Sequence, residues 1–260
     1  MNCELKNLFL AGIATLALTA CKSHYEVGSV SRQRIVIDSR YDARPDAEAA
    51  AFLAPYKHKV DSVMEPVQGE LARNMKAERP ESNLSNLLPD ILMHVAQQYN
   101  EQPDFAVYNI GGIRAELTQG LVTYGDVLAV APFENKICFI TLTGQQVLEL
   151  FAQIARRGGE GVSHGVELVI TADGKLLSAR LNGHDIDPQR SYRVTTIDYL
   201  AQGNDGLTAF KSGTKLNAPS DESNNSRYLI AGYFKELYAK GQKVDAQVEG
   251  RVKKIGRAHV

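Results

Sequence analysis

A chain of 260 residues that is 44% hydrophobic and 23% charged has a globular composition and the length to bury a sizeable core. Its 29 Lys and Arg nearly balance 30 Asp and Glu, so no broad basic field exists to hold nucleic acid or an anionic bilayer. Nine Pro and 21 Gly are too few for a fibrous or disordered chain, and no internal repeat is visible.

The first segment reads as an address. Lys6 precedes an apolar stretch from Leu8 to Leu18, which is too short to span a bilayer. It ends in Leu18-Thr19-Ala20-Cys21, which resembles the lipobox of bacterial lipoproteins. That resemblance implies a signal peptide over 1–20, a lipid on Cys21 as the membrane anchor, and a location in the bacterial cell envelope. Residues 21–45 then hold the lipidated cysteine, a polar tether and a first strand over Arg34–Asp38, and the domain proper occupies 46–255. Cys3 leaves with the signal, and Cys138 stays alone in an apolar run, so neither a disulfide nor a thiolate zinc site is expected.

Between Tyr56 and Met75, Val60, Val63, Met64 and Val67 fall at helical spacing. Leu84, Leu87, Leu88, Ile91, Leu92 and Val95 predict a second helix, capped by Ser85 or Asn86 with Pro89 in its first turn. The clearest helix covers 144–157. Thr143 and Gln146 form its capping box, Val147, Leu150, Phe151 and Ile154 its apolar stripe, and Gly158 its stop. A last helix is expected over 225–239, with Ile230, Tyr233, Phe234 and Leu237 inward. Strands are expected at 105–110, 137–142, 166–171, 176–181, 192–197 and 247–254, with Asp173-Gly174 as a hairpin turn. The interleaving with a hairpin predicts an α/β (mixed α+β) fold, a mixed sheet with packed helices.

Gly161-Val162-Ser163-His164-Gly165 has the G-x-S-x-G string of a hydrolase nucleophile elbow, but a helix precedes it and a strand follows, the reverse of what that elbow needs. None of the six histidines lies in a metal-binding spacing such as H-E-x-x-H, so no metal ligands and no catalytic residues are expected in this chain.

Three segments carry more information together. Val107-Tyr108-Asn109-Ile110-Gly111-Gly112-Ile113-Arg114 is a strand ending in glycines, with Asn and Arg around them. Val130-Ala131-Pro132-Phe133 puts an aromatic after a proline, and Asp198-Tyr199-Leu200-Ala201-Gln202-Gly203-Asn204-Asp205-Gly206 puts an aromatic and an acid around a glycine turn. With Pro80-Glu81-Ser82-Asn83-Leu84 and Tyr192-Arg193-Val194 in support, the set resembles the C-terminal domain of the 5'-nucleotidase and UDP-sugar hydrolase family, over about residues 46–253.

The resemblance implies a nucleoside or nucleotide ligand. Phe133 and Tyr199 would clamp the base, Tyr standing where Phe is more usual. Asn109 would read the base edge, Asp205 the ribose diol and Arg114 the phosphate, with Gly111 and Gly112 allowing close approach. Taken singly, the rings also suit a core, Asn109 and Asp205 suit turns, and Arg114 suits a solvated surface. Asn204 replaces a glycine of the family's turn, where a left-handed backbone is expected. In the family, two metal ions in a separate metallophosphatase domain perform hydrolysis. This chain is therefore expected to be the recognition half, with divalent metals in a separate metallophosphatase subunit as its partner. The alternative is a non-catalytic lipoprotein that captures nucleosides or nucleotides.

Overall fold

The computed structural model describes residues 26–43 and 45–256. The expected signal peptide and the expected lipidation site Cys21 lie outside the described residues. The chain divides into two units, one ending at Phe52 and one beginning at Leu53. In the first, residues 26–43 are exposed throughout and form no strand, so the expected strand at Arg34–Asp38 is absent. Ile35 and Ile37 both face solvent there and pair with no strand among the described residues.

The boundary falls within helix α1 (Ala47–Met64), none of whose residues is buried. The predicted helix from Tyr56 to Met75 is thus shifted and shortened. Pro66 disfavours helix in the residue before it, and Val67 opens strand β1 (Val67–Leu71) instead of completing a helical stripe. Helix α2 (Asn83–Val95) buries Leu84, Leu87, Leu88, Ile91, Leu92 and Val95 as expected. Its cap is Ser82, in a reciprocal box with Ser85, so Pro89 lies in the helix interior and not in the first turn. The Ser85 carbonyl, which Pro89 cannot satisfy, is approached by Gly161, where a Cβ would clash with it.

Helix α3 (Tyr124–Val130) and helix α4 (Gly144–Arg156) both start on capping boxes, Thr123 with Asp126 and Thr143 with Gln146. All four members of the predicted α4 stripe are fully buried. After the short α5 (Asp198–Ala201), helix α6 (Ser226–Ala239) is capped by Asn225 and buries Ile230 and Phe234, with Tyr233 and Leu237 partly covered.

The main sheet has five strands in the order β10 (Thr214–Asn217), β4 (Ile137–Thr143), β9 (Ser191–Ile197), β2 (Phe105–Tyr108) and β5 (Gly161–Val162). A second, four-stranded sheet runs β11 (Val252–Ile255), β6 (Val166–Thr171), β7 (Leu176–Leu181) and β8 (His184–Asp185). β1 pairs with β3 (Gly120–Thr123) as a two-stranded ribbon. Both larger sheets mix parallel and antiparallel pairs, and β6 and β7 form the hairpin around Asp173-Gly174. The fold is therefore the mixed α+β arrangement expected. The predicted strand over 247–254 is confined to Val252–Ile255.

Strands β2 and β4 of the main sheet are largely apolar on both faces, as strands covered on both sides must be. Ile137, Cys138, Phe139, Ile140 and Leu142 of β4 are all buried, and burial pushes the Cys138 thiol up to about 12. Buried Thr195 and Thr196 donate their hydroxyls to the Cys138 and Val107 carbonyls, so β9 leaves neither hydroxyl without a partner. Helix α2 packs on β2 and β5, α4 on β4 and the β6–β7 hairpin, and α6 on β1 and α2.

Candidate functional site

Strand register brings the site together. β2 and β9 run parallel, so their C-terminal ends lie at one edge of the main sheet. β4 and β5 run antiparallel to them, with Ile137 opposite Ile197 and Gly161 opposite Tyr108, so both begin at that edge. Four connections therefore meet there: Asn109–Arg114 after β2, Ala131–Lys136 before β4, Arg157–Glu160 before β5, and Asp198–Gly206 after β9. An edge where strand ends converge is where open mixed sheets place ligands.

A cleft of about 300 Å³ lies between these segments, within the size range of small-molecule sites. Asn109, Gly111, Gly112, Arg114, Phe133, Tyr199 and Asp205 all line it, so every cleft residue expected from the sequence comes together. Phe133 and Tyr199 are 48% and 36% exposed, so neither ring is locked into the core. Asn135 and Arg157 complete the lining and were not anticipated.

Asp205 is the hub of the polar wall. Its Oδ2 accepts from the Asn109 amide at 2.8 Å, and its Oδ1 accepts from the Tyr199 hydroxyl at 3.1 Å. The Arg157 guanidinium stands 3.5 Å from Oδ2. The hydrogen bond to Asp205 raises the Tyr199 phenol above its ordinary pKa, because ionisation would set two anions side by side. Asp205 itself adopts a left-handed backbone, φ 55°, between Gly203 and Gly206 at φ 77° and 73°. The left-handed position of this turn is thus Asp205 and not Asn204, whose side-chain amide instead donates to the Tyr199 carbonyl.

Behind the wall lies Glu160, whose side chain is fully buried. It accepts the Ile110 N–H at 2.6 Å and pairs with both Arg79 and Arg157. Arg79 is therefore engaged with Glu160 and the Gly159 carbonyl. Desolvation works against the Arg157 charge, but Glu160 and Asp205 together hold it firmly protonated. At the other end, Arg114 is exposed and donates to the Gly111 carbonyl at 3.3 Å, leaving most of its guanidinium to solvent.

Gly112 leaves room for the Asn109 side chain. A Cβ there would stand 2.6 Å from Asn109 Oδ1, whereas one on Gly111 would meet nothing closer than Asp205 Oδ2 at 3.9 Å. Asn109 Oδ1 is buried and has no hydrogen-bond partner among the described residues.

The G-x-S-x-G string contributes no nucleophile. Ser163 is buried, and its Oγ accepts the Ala106 N–H at 2.8 Å, spending the oxygen on the backbone of β2. Among the described residues, no group of three or more His, Cys, Asp or Glu is placed to hold a metal ion, and no helix is long and apolar enough to cross a membrane.

Comparison with known proteins agrees with this architecture. A 5'-nucleotidase from Vibrio vulnificus is 29% identical over 228 residues, which is 86% of this chain and 39% of that protein. Protein UshA of Escherichia coli is 28% identical over 159 residues, 60% of this chain and 29% of that one. The chain thus spans well under half of these relatives. The solved structure of a 5'-nucleotidase precursor from Thermus thermophilus superposes with a TM-score of 0.69 at 26% identity, covering 82% of this chain and 44% of that one. The family model for the 5'-nucleotidase C-terminal domain matches residues 62–212, more than half the sequence and the whole of the cleft, and the chain belongs to that family.

Proposed function

We propose that this domain is the nucleotide-recognition half of a 5'-nucleotidase-type phosphoester hydrolase. One observation carries the reading: two exposed rings from distant segments, Phe133 and Tyr199, share a cleft with an Asn–Asp pair and a solvent-exposed arginine. The rings supply stacking faces for a base, the polar wall suits a base edge and a ribose, and Arg114 suits a phosphate. In our reading the two-metal hydrolysis that the family resemblance implies belongs to a metallophosphatase partner subunit carrying the divalent ions. This domain's share of the rate is orientation of the ester and neutralisation of its charge.

The test is calorimetric titration with nucleosides and their 5'-monophosphates, alongside turnover assays with and without an added metallophosphatase. Turnover gained only in the mixture supports the division of labour. Binding with no partner-dependent turnover favours the capture of nucleotides by a non-catalytic lipoprotein. Phe133→Ala and Tyr199→Ala should each raise Kd about tenfold, at the scale of one lost base–aromatic stack. Arg114→Ala should weaken the monophosphate more than the nucleoside; equal losses would remove its phosphate role. The lipobox resemblance supports an envelope anchor on Cys21, and Cys21→Ser should release the protein from membranes.

A further inference from the structure

We propose that Arg157 is a specificity-determining residue of the cleft, forming with Asp205 a donor–acceptor pair that reads the vicinal 2',3'-diol of a ribose. The inference rests on the nucleotide-binding reading above and goes further, to a second group that reads the sugar beside Asp205.

A vicinal diol can donate from one hydroxyl while accepting at the other. A carboxylate alone meets only the first need, and two side chains already donate to Asp205 while a third faces it. The Tyr199 hydroxyl is on Oδ1, the Asn109 amide is on Oδ2, and Arg157 faces Oδ2 at 3.5 Å. A carboxylate has lone pairs to spare for a ligand hydroxyl that donates, but it has no proton to offer a hydroxyl that must accept. The second hydroxyl needs a donor beside Asp205, and Arg157 is that donor. It lines the cleft, its side chain is 30% exposed, and its Nε donates to Glu160 while Nη2 stands 3.5 Å from Asp205 without a hydrogen bond. Guanidinium N–H groups remain for a ligand.

Two features keep this fork in place. Glu160 is buried and anchored by Arg79 and by the Ile110 N–H, so the planar guanidinium is held before any ligand arrives. Glu160 and Asp205 both oppose its charge, which suits a neutral hydroxyl better than a phosphate. Arg114, which forms no ion pair among the described residues and donates only to the Gly111 carbonyl, is the better phosphate group.

The test is calorimetric titration of the intact chain with adenosine and with 2',3'-dideoxyadenosine, for wild type, Arg157→Met and Arg157→Lys. Loss of a charge-assisted hydrogen bond should weaken adenosine about tenfold or more in Arg157→Met and leave dideoxyadenosine unchanged. Arg157→Lys keeps a cation beside Glu160 but not the planar fork, and should show the same selective loss if Arg157→Met proves unstable. Equal losses for both ligands, or no loss for adenosine, would overturn the assignment. Wild type binding both nucleosides equally would also defeat it while sparing the base clamp. Wild type binding neither would defeat the nucleotide reading along with it.

Discussion

At the scale of single residues, Gly111 and Gly112 separate two uses of glycine. A Cβ on Gly111 meets ordinary contact distances, whereas one on Gly112 would stand 2.6 Å from Asn109 Oδ1. Neither glycine has a positive φ, so backbone strain does not decide the difference. Gly112→Ala must displace the Asn109 side chain, and with it the amide that holds Asp205. Gly112→Ala should therefore weaken nucleoside binding severalfold with only a modest fall in melting temperature, while Gly111→Ala leaves both near wild type. Calorimetry and thermal melting check this, and equal behaviour of the two variants would show that Asn109 does not order the cleft. The residues whose chemistry is local were legible: a ring after Pro132, an acid in a glycine turn, an amide at a strand end. Arg157 and Glu160 were not. In sequence, Arg157 is a charge at a helix stop and Glu160 one more acid in a glycine-rich loop. Their roles arise only when β5 is laid against β2, which carries Glu160 to the Ile110 N–H.

At the scale of elements, helix α4 shows which local signals are sufficient. Its capping box, stripe and glycine stop all agree, and the helix forms as read. A lost cap costs about 1 kcal/mol, whereas emptying a fully buried leucine costs roughly 2–5 kcal/mol. Thr143→Ala should accordingly destabilise the fold by far less than Leu150→Ala in urea unfolding. A comparable loss from Thr143→Ala would mean that the cap, which also fixes the exit from β4, does more than satisfy one N–H. The elements that escaped the sequence are short or carry little pattern. β10 exposes all four of its residues, so no alternation marks it. β3 has a single buried position, Val122. α3 spans seven residues, and its one readable signal was the Thr123–Asp126 spacing of a capping box. The stripe from Val60 to Val67 misled because helical spacing continued across Pro66, where the chain turns from helix to strand.

At the scale of the whole molecule, the buried apolar residues of the core all lie between Leu71 and Val252, and the cleft draws its lining from Asn109 to Asp205. Residues 26–43 contribute to neither. They are exposed throughout, and their backbone hydrogen bonds are confined to a turn, with Tyr41 and Asp42 donating to Asp38 and Ser39. A backbone without ladder or helix, carrying exposed arginines, enters a protease active site without prior unfolding, whereas cleavage within the core must wait for the fold to open. Trypsin under native conditions should therefore cut first at Arg32 and Arg34, well before any site beyond Leu53. The trimmed product should melt at the same temperature as the intact chain and bind nucleosides with the same Kd, as followed by mass spectrometry, thermal melting and calorimetry. Early cleavage inside the 53–256 unit, or loss of binding once the first arginines are cut, would mean that the segment ahead of α1 supports the fold or the cleft after all.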